Sequence, residues 1–122
     1  MQSCKFSRKE PAFLSLATCL RWVVLAEMRK VSEVARSERG FLTAYQEANG
    51  RPSSLSCAWR NQRIAFCARH WAQIASRGKG ALFESSGKYE GLPTRQALSL
   101  VMWAWHPDPQ ALARSQHLLK RL

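Results

Sequence analysis

Residues 55–77 read LSCAWRNQRIAFCARHWAQIASR, and the fold is argued outward from them. At about 100° per residue, Cys57, Ile64, Cys67, Ala68, Trp71, Ile74 and Ala75 fall within one arc. That arc predicts a core-facing helix surface. The opposite arc gathers Trp59, Gln62, Arg63, Phe66, Arg69, His70, Gln73 and Arg77, so aromatic side chains alternate with Arg and Gln on the face turned from the core. Arg60 falls on the apolar side and has to reach outward from near the helix start.

The flanks punctuate this helix. Asn49-Gly50 supplies a left-handed stop for a short helix over 41–48, and Arg51-Pro52 prevents its continuation. Ser53 or Ser54 is the expected cap of the long helix. Gly78-Lys79-Gly80 terminates it. Residues 81–84 and 88–90 then flank Ser85-Ser86-Gly87, which predicts a short β-hairpin near 81–90. Thr94 after Pro93 caps a helix over 94–106. Between residues 97 and 105 only Ser99 is polar, so this helix is expected at the centre of the fold. His106-Pro107-Asp108-Pro109 breaks it. Asp108 as cap and Pro109 at the first position begin a last helix over 109–121. Leu112, Leu118, Leu119 and Leu122 form its inner face, and Arg114, His117 and Arg121 its outer one.

Upstream, Pro11 fits the first position of a helix over 12–38. Phe13, Ala17, Leu20, Val24, Met28, Val31 and Ala35 recur at steps of three and four, as one amphipathic face does. Arg29 and Glu33 stand four apart, where they can pair, and Gly40 ends the helix. Met28 is an alternative start that would make residues 1–27 an extension; residues 1–39 read as an N-terminal amphipathic helix or extension and 40–122 as a basic helical core domain. The predicted fold class is mostly α, a small bundle of about five helices carrying that one hairpin.

Charge is the strongest functional signal. Nineteen Lys and Arg stand against eight Asp and Glu, a net charge of +11, and there is no acid between Glu47 and Glu84. A field of that sign attracts phosphate backbones, anionic lipid or acidic protein. Five Trp and a hydrophobic fraction of 46% supply a core and set disorder aside. The N-terminus places basic residues before an apolar run, but Arg21 interrupts it, and the run falls well short of the roughly 20 residues a membrane span needs. Export and membrane insertion are not expected. Cys4, Cys19, Cys57 and Cys67 are irregularly spaced and are read as reduced, with Cys67 as a small core hydrophobe, which fits a cytoplasmic protein.

Catalytic and metal chemistry find little support. Cys67 and His70 have ligand-like spacing, but a closed zinc site needs two more ligands. Cys57 lies about 15 Å along the helix axis from Cys67. Asp108 is explained as a helix cap, and the Glu residues are scattered. Neither a nucleophile elbow nor a phosphate loop is present. The sequence therefore predicts a non-enzymatic protein without metal or cofactor.

Nucleic-acid binding is the expected function. Short helix, turn, basic helix and hairpin resemble in order a winged helix-turn-helix, although the long helix and the turn depart from that pattern. Trp59, Arg63, Phe66, Arg69, His70, Arg77, Lys79 and Lys88 are the candidate contacts. The basic groups would track phosphate and the aromatics would stack on bases. The opposing expectation is that Trp59 and Phe66 pack on the N-terminal helix while the Arg side chains reach outward. The alternative function is a protein-interaction module, such as a small inhibitor or adaptor, since Trp and Arg also dominate protein interfaces.

Overall fold

The computed structural model describes residues 4–6, 8–77 and 82–122. Six α-helices follow one another: α1 (Leu16–Met28), α2 (Glu33–Arg36), α3 (Phe41–Glu47), α4 (Cys57–Arg77), α5 (Arg95–Val101) and α6 (Pro109–Ser115). Single 3-10 segments precede α4 (Pro52–Ser54) and follow α6 (Gln116–Arg121). The mostly α bundle expected from the sequence is observed.

At its centre is α5. The Thr94 hydroxyl accepts from the Ala97 N–H at 3.2 Å and caps the helix as expected. Ala97, Leu98, Leu100 and Val101 are fully buried, which places the helix at the core as expected, although Arg95, Gln96 and Ser99 leave it one polar edge. The helix ends at Val101, short of the expected 106, because Ala104 takes a left-handed φ of 60°. The Asp108 carboxylate accepts from Ala111 N–H at 3.0 Å and starts α6. Leu112 is buried, whereas Leu122 is 40% exposed, so the expected inner face is only partly used.

The expected helix over 12–38 is divided. Residues 11–14 are not helical, and α1 starts only after Ser15, whose hydroxyl accepts from Thr18 N–H. The backbone before it is committed elsewhere: Arg63 takes the carbonyls of Pro11 and Ala12, Tyr45 takes that of Leu14, and Leu14 N–H donates to Ala104. After α1 the chain turns sharply, with left-handed φ at Lys30 and Ser32. The helix is also rotated from the expected face. Cys19, Trp22, Leu25 and Ala26 are buried in one cluster with Leu98 and Leu112, whereas Leu20, Val24 and Met28 face solvent. Both faces of α1 are apolar, and the one carrying Trp22 buries the larger ring. Arg29 does not pair with Glu33. It meets Glu84 at 3.4 Å and lies 4.4 Å over the Tyr89 ring.

Gly40 is fixed by packing. A Cβ there would lie 2.2 Å from the Val34 carbonyl oxygen, so α2 and α3 meet too closely for any side chain. Asn49 and Gly50 both adopt left-handed φ and close α3 as expected. The α4 cap is Ser56, whose hydroxyl accepts from Trp59 N–H at 3.1 Å, not Ser53 or Ser54, which lie in the 3-10 turn. The predicted hairpin reduces to a single Phe83–Pro93 bridge. Backbone bonds between residues 82–84 and 91–94 support that return, but among the described residues no strand forms.

The N-terminal segment is fastened to the start of α4 by a Cys4–Cys57 disulfide spanning 53 positions. This corrects the expectation of four reduced cysteines: only the tertiary fold brings that pair together. Cys19 and Cys67 are free and buried. Arg60 reaches out as expected and clasps Glu10 with two bonds of 2.6 and 2.8 Å.

Candidate nucleic-acid interface

The basic helix α4 contains no acidic residue. Its buried line is Arg63, Ile64, Cys67 and Ile74, so the core face is turned toward the Arg-bearing side relative to the arc read from the sequence. Arg63 is the reason. Its side chain is fully buried, and its guanidinium donates to the carbonyls of Trp103 at 2.7 Å and of Pro11, Ala12 and Ala104 at 2.8 Å each. It also stacks 3.6 Å from the Phe13 ring centre. A buried charge persists only when its donors are satisfied, and here four carbonyls from two distant segments satisfy it. Arg63 is therefore withdrawn from the surface contact set and is a fastener of the core.

The aromatic members are also engaged. Phe66 stacks on Trp103 at 4.8 Å, Trp103 stacks on Phe41 at 5.0 Å, and Trp59 lies 6.0 Å from both Phe41 and Trp103. Both Trp59 and Phe66 are half-buried. They are packed, as the alternative expected, but on α3 and the segment after α5 and not on the N-terminal helix.

What remains outward on α4 is a crest of Asn61, Gln62, Ala65, Arg69, Ala72, Gln73 and Ser76, all exposed. The Arg69 guanidinium sits 5.9 Å from the Phe66 ring centre. His70 lies 4.2 Å from Phe66, centre to centre. Burial, and then the neighbouring Arg69 charge, push its pKa below the ordinary 6.5, so at neutral pH His70 offers a hydrogen bond and not a charge. Gln96 on α5 donates toward His70 Nδ1 and to Gln73, and exposed Arg77 donates to the Gln96 carbonyl oxygen at 3.4 Å.

This polar group continues into a second cationic one. Arg95, the neighbour of Gln96, donates to the Arg29 carbonyl. Lys88, exposed, approaches the Tyr89 ring at 5.6 Å, and the Arg29 guanidinium lies 4.4 Å from the same ring centre. Arg69, His70 and Arg77 are thus brought together on α4, Lys88 joins them across α5 through Arg29 and Arg95, and Lys79 lies outside the described residues. Arg29 and Arg95 were missed by sequence reasoning, since only the tertiary contact between the α1 end and the α5 start reveals them.

Clefts flank the crest on both sides. One, about 430 Å³, is floored by Phe66 and Trp103 and rimmed by Lys30, Ser32, Glu33 and Val34. The other, about 140 Å³, lies between Trp71, Trp105, Arg8 and Lys9. Trp71, expected in the core, is 44% exposed because the rotation of α4 leaves it on the flank.

Burial raises the thiol pKa of Cys67 to about 11 and that of Cys19 to about 12, so both stay protonated at neutral pH. Among the described residues, no three His, Cys, Asp or Glu side chains cluster in a way that would hold a metal, and no helix is long and apolar enough to cross a membrane. The sequence matches no protein-family model and no curated protein.

Proposed function

We propose that the protein is a non-enzymatic nucleic-acid-binding protein that engages phosphate backbone along the crest of α4 and the adjoining cationic flank. The observation that carries the reading is the acid-free crest itself. Arg69 projects from it and Arg77 beside it; of the two ion pairs among the described residues, Arg60–Glu10 lies off the interface and Arg29–Glu84 lies in the flank. Arg69, Arg77, Arg95 and Lys88 supply charge, while Gln62, Gln73 and Asn61 supply donors and acceptors of the kind that read base edges. A net charge of +11 adds long-range attraction to any polyphosphate. A cytoplasmic location is the part of this proposal that the Cys4–Cys57 bond weighs against, since reducing compartments rarely keep disulfides.

The test is fluorescence anisotropy with labelled single-stranded and duplex oligonucleotides, with polyglutamate as the acidic control. The expected result is binding to the oligonucleotides that weakens steeply with salt. Absence of binding to either at low salt would reject the proposal.

A protein partner is the second reading, favoured by one feature. Leu20, Val24 and Met28 are 39%, 62% and 44% exposed and, standing four apart, form one apolar stripe along α1. Contiguous exposed apolar surface marks interaction sites.

A further inference from the structure

Resting on that reading, we infer that the cleft between Trp71 and Trp105 holds one unstacked base of a single-stranded nucleic acid. The two indoles meet at 5.9 Å with planes at 87°, so they form two walls of a corner. Buried Ile64 and half-buried Ala68 also line it, as do the exposed Arg8 and Lys9. The volume, about 140 Å³, equals that of a few water molecules at roughly 30 Å³ each. It is a small open cleft, which we match to a single flat ring.

Charge complementarity selects the occupant. The cleft is lined by two cations and no acid, and the nearest acid in sequence, Glu10, is already clasped by Arg60 at 2.6 Å. A ring that enters must bring negative charge to its mouth, which a nucleotide does through its phosphate. The larger cleft on the other flank carries Glu33 at its rim and suits a polyanion less well. Trp71 lies on α4 beside the crest, so a strand whose phosphates follow Arg69 passes the corner and can turn a base into it. Stacking on an exposed aromatic tolerates any base, so the cleft selects single strands over duplex without selecting sequence.

The experiment compares a labelled thymidine dodecamer, an abasic deoxyribose-phosphate strand of the same length, the corresponding duplex, and polyglutamate. The parent is expected to bind the dodecamer about 5- to 150-fold tighter than the abasic strand. Trp71→Ala should remove that preference and leave abasic affinity unchanged, and Trp71→Phe should restore part of it. Folding is checked by near-ultraviolet circular dichroism. Equal affinity of the parent for the dodecamer and the abasic strand overturns the base site while leaving backbone binding intact. So does a preference that survives in Trp71→Ala, or polyglutamate binding as tightly as the dodecamer. Failure to bind any phosphate polymer overturns both proposals.

Discussion

Replacing Arg63 by Met should cost stability and leave nucleic-acid affinity per folded molecule unchanged. The guanidinium serves four carbonyls at 2.7–2.8 Å. Ala104 keeps another donor, since Leu14 N–H reaches it at 2.8 Å. The carbonyls of Pro11, Ala12 and Trp103 then lose the donor that Arg63 supplies. An orphaned buried acceptor costs about 1–3 kcal/mol. The lower end applies to Pro11 and Ala12, which lie near solvent and can rehydrate. Before any lost packing on Phe13, the sum is about 3–5 kcal/mol. For a domain of this size that lowers the melting temperature by roughly 10–20 °C. Arg63→Lys should lose less, because an ammonium retains charge but cannot span two segments with a planar fork. Thermal unfolding followed by far-ultraviolet circular dichroism measures both. A Met variant that melts with the parent yet binds oligonucleotide more weakly would refute the reasoning and return Arg63 to the surface.

The disulfide and a buried histidine give further expectations. Cys4→Ser/Cys57→Ser removes a cross-link spanning 53 positions, for which chain entropy sets an upper bound of about 4 kcal/mol; urea unfolding of parent and variant should show a loss of that order, and coincident curves would contradict the account. His106 is buried, its Nδ1 accepts from Asp108 N–H at 2.9 Å, and its Nε2 has no partner. Burial holds its pKa down at about 4, from an ordinary 6.5. The unfolded chain therefore binds this proton first, so the contribution of His106 to stability is constant above pH 6.5, falls as pH drops through 6.5, and levels off below about 4. The full span is worth about 3 kcal/mol, and a His106→Gln variant with the same pH dependence as the parent would exclude His106 as its source.

What was legible in the sequence is what local chemistry decides. Thr94, Asp108 and Asn49-Gly50 act on backbone within a few residues, and their roles were readable as such. The apolar run from Ala97 identified the central helix, because nothing but burial accounts for it. Beyond local shifts such as the Ser56 cap, the larger failures involve distant partners. Arg63 looks like a surface cation until the carbonyls of Pro11, Ala12 and Trp103 converge on it from residues 40 or more positions away. Once Arg63 turns inward, α4 rotates, Trp71 emerges and Phe66 is drawn onto Trp103. In α1 the periodicity fitted two faces, and the choice between them depended on where Trp22 could be buried. Cys4 and Cys57 carry no spacing signal, since their meeting is a product of the whole fold. Of the candidate interface, the charge and its helix were readable. The cations contributed by Arg29 and Arg95 were not, because they arrive through contacts between elements remote in sequence.

The most direct test of the central claim is the salt dependence of oligonucleotide binding by the parent and by an Arg69→Ala/Arg77→Ala variant. Both side chains are exposed, so the variant should keep the parent's melting temperature. Plotting the logarithm of the binding constant against the logarithm of salt concentration counts the phosphate contacts, at about 0.9 of slope per contact on duplex and about 0.7 on single strands. The account predicts a slope shallower by roughly 1.4 to 1.8 in the variant, with weaker binding at every salt concentration measured. An unchanged slope and affinity in a folded variant would contradict it.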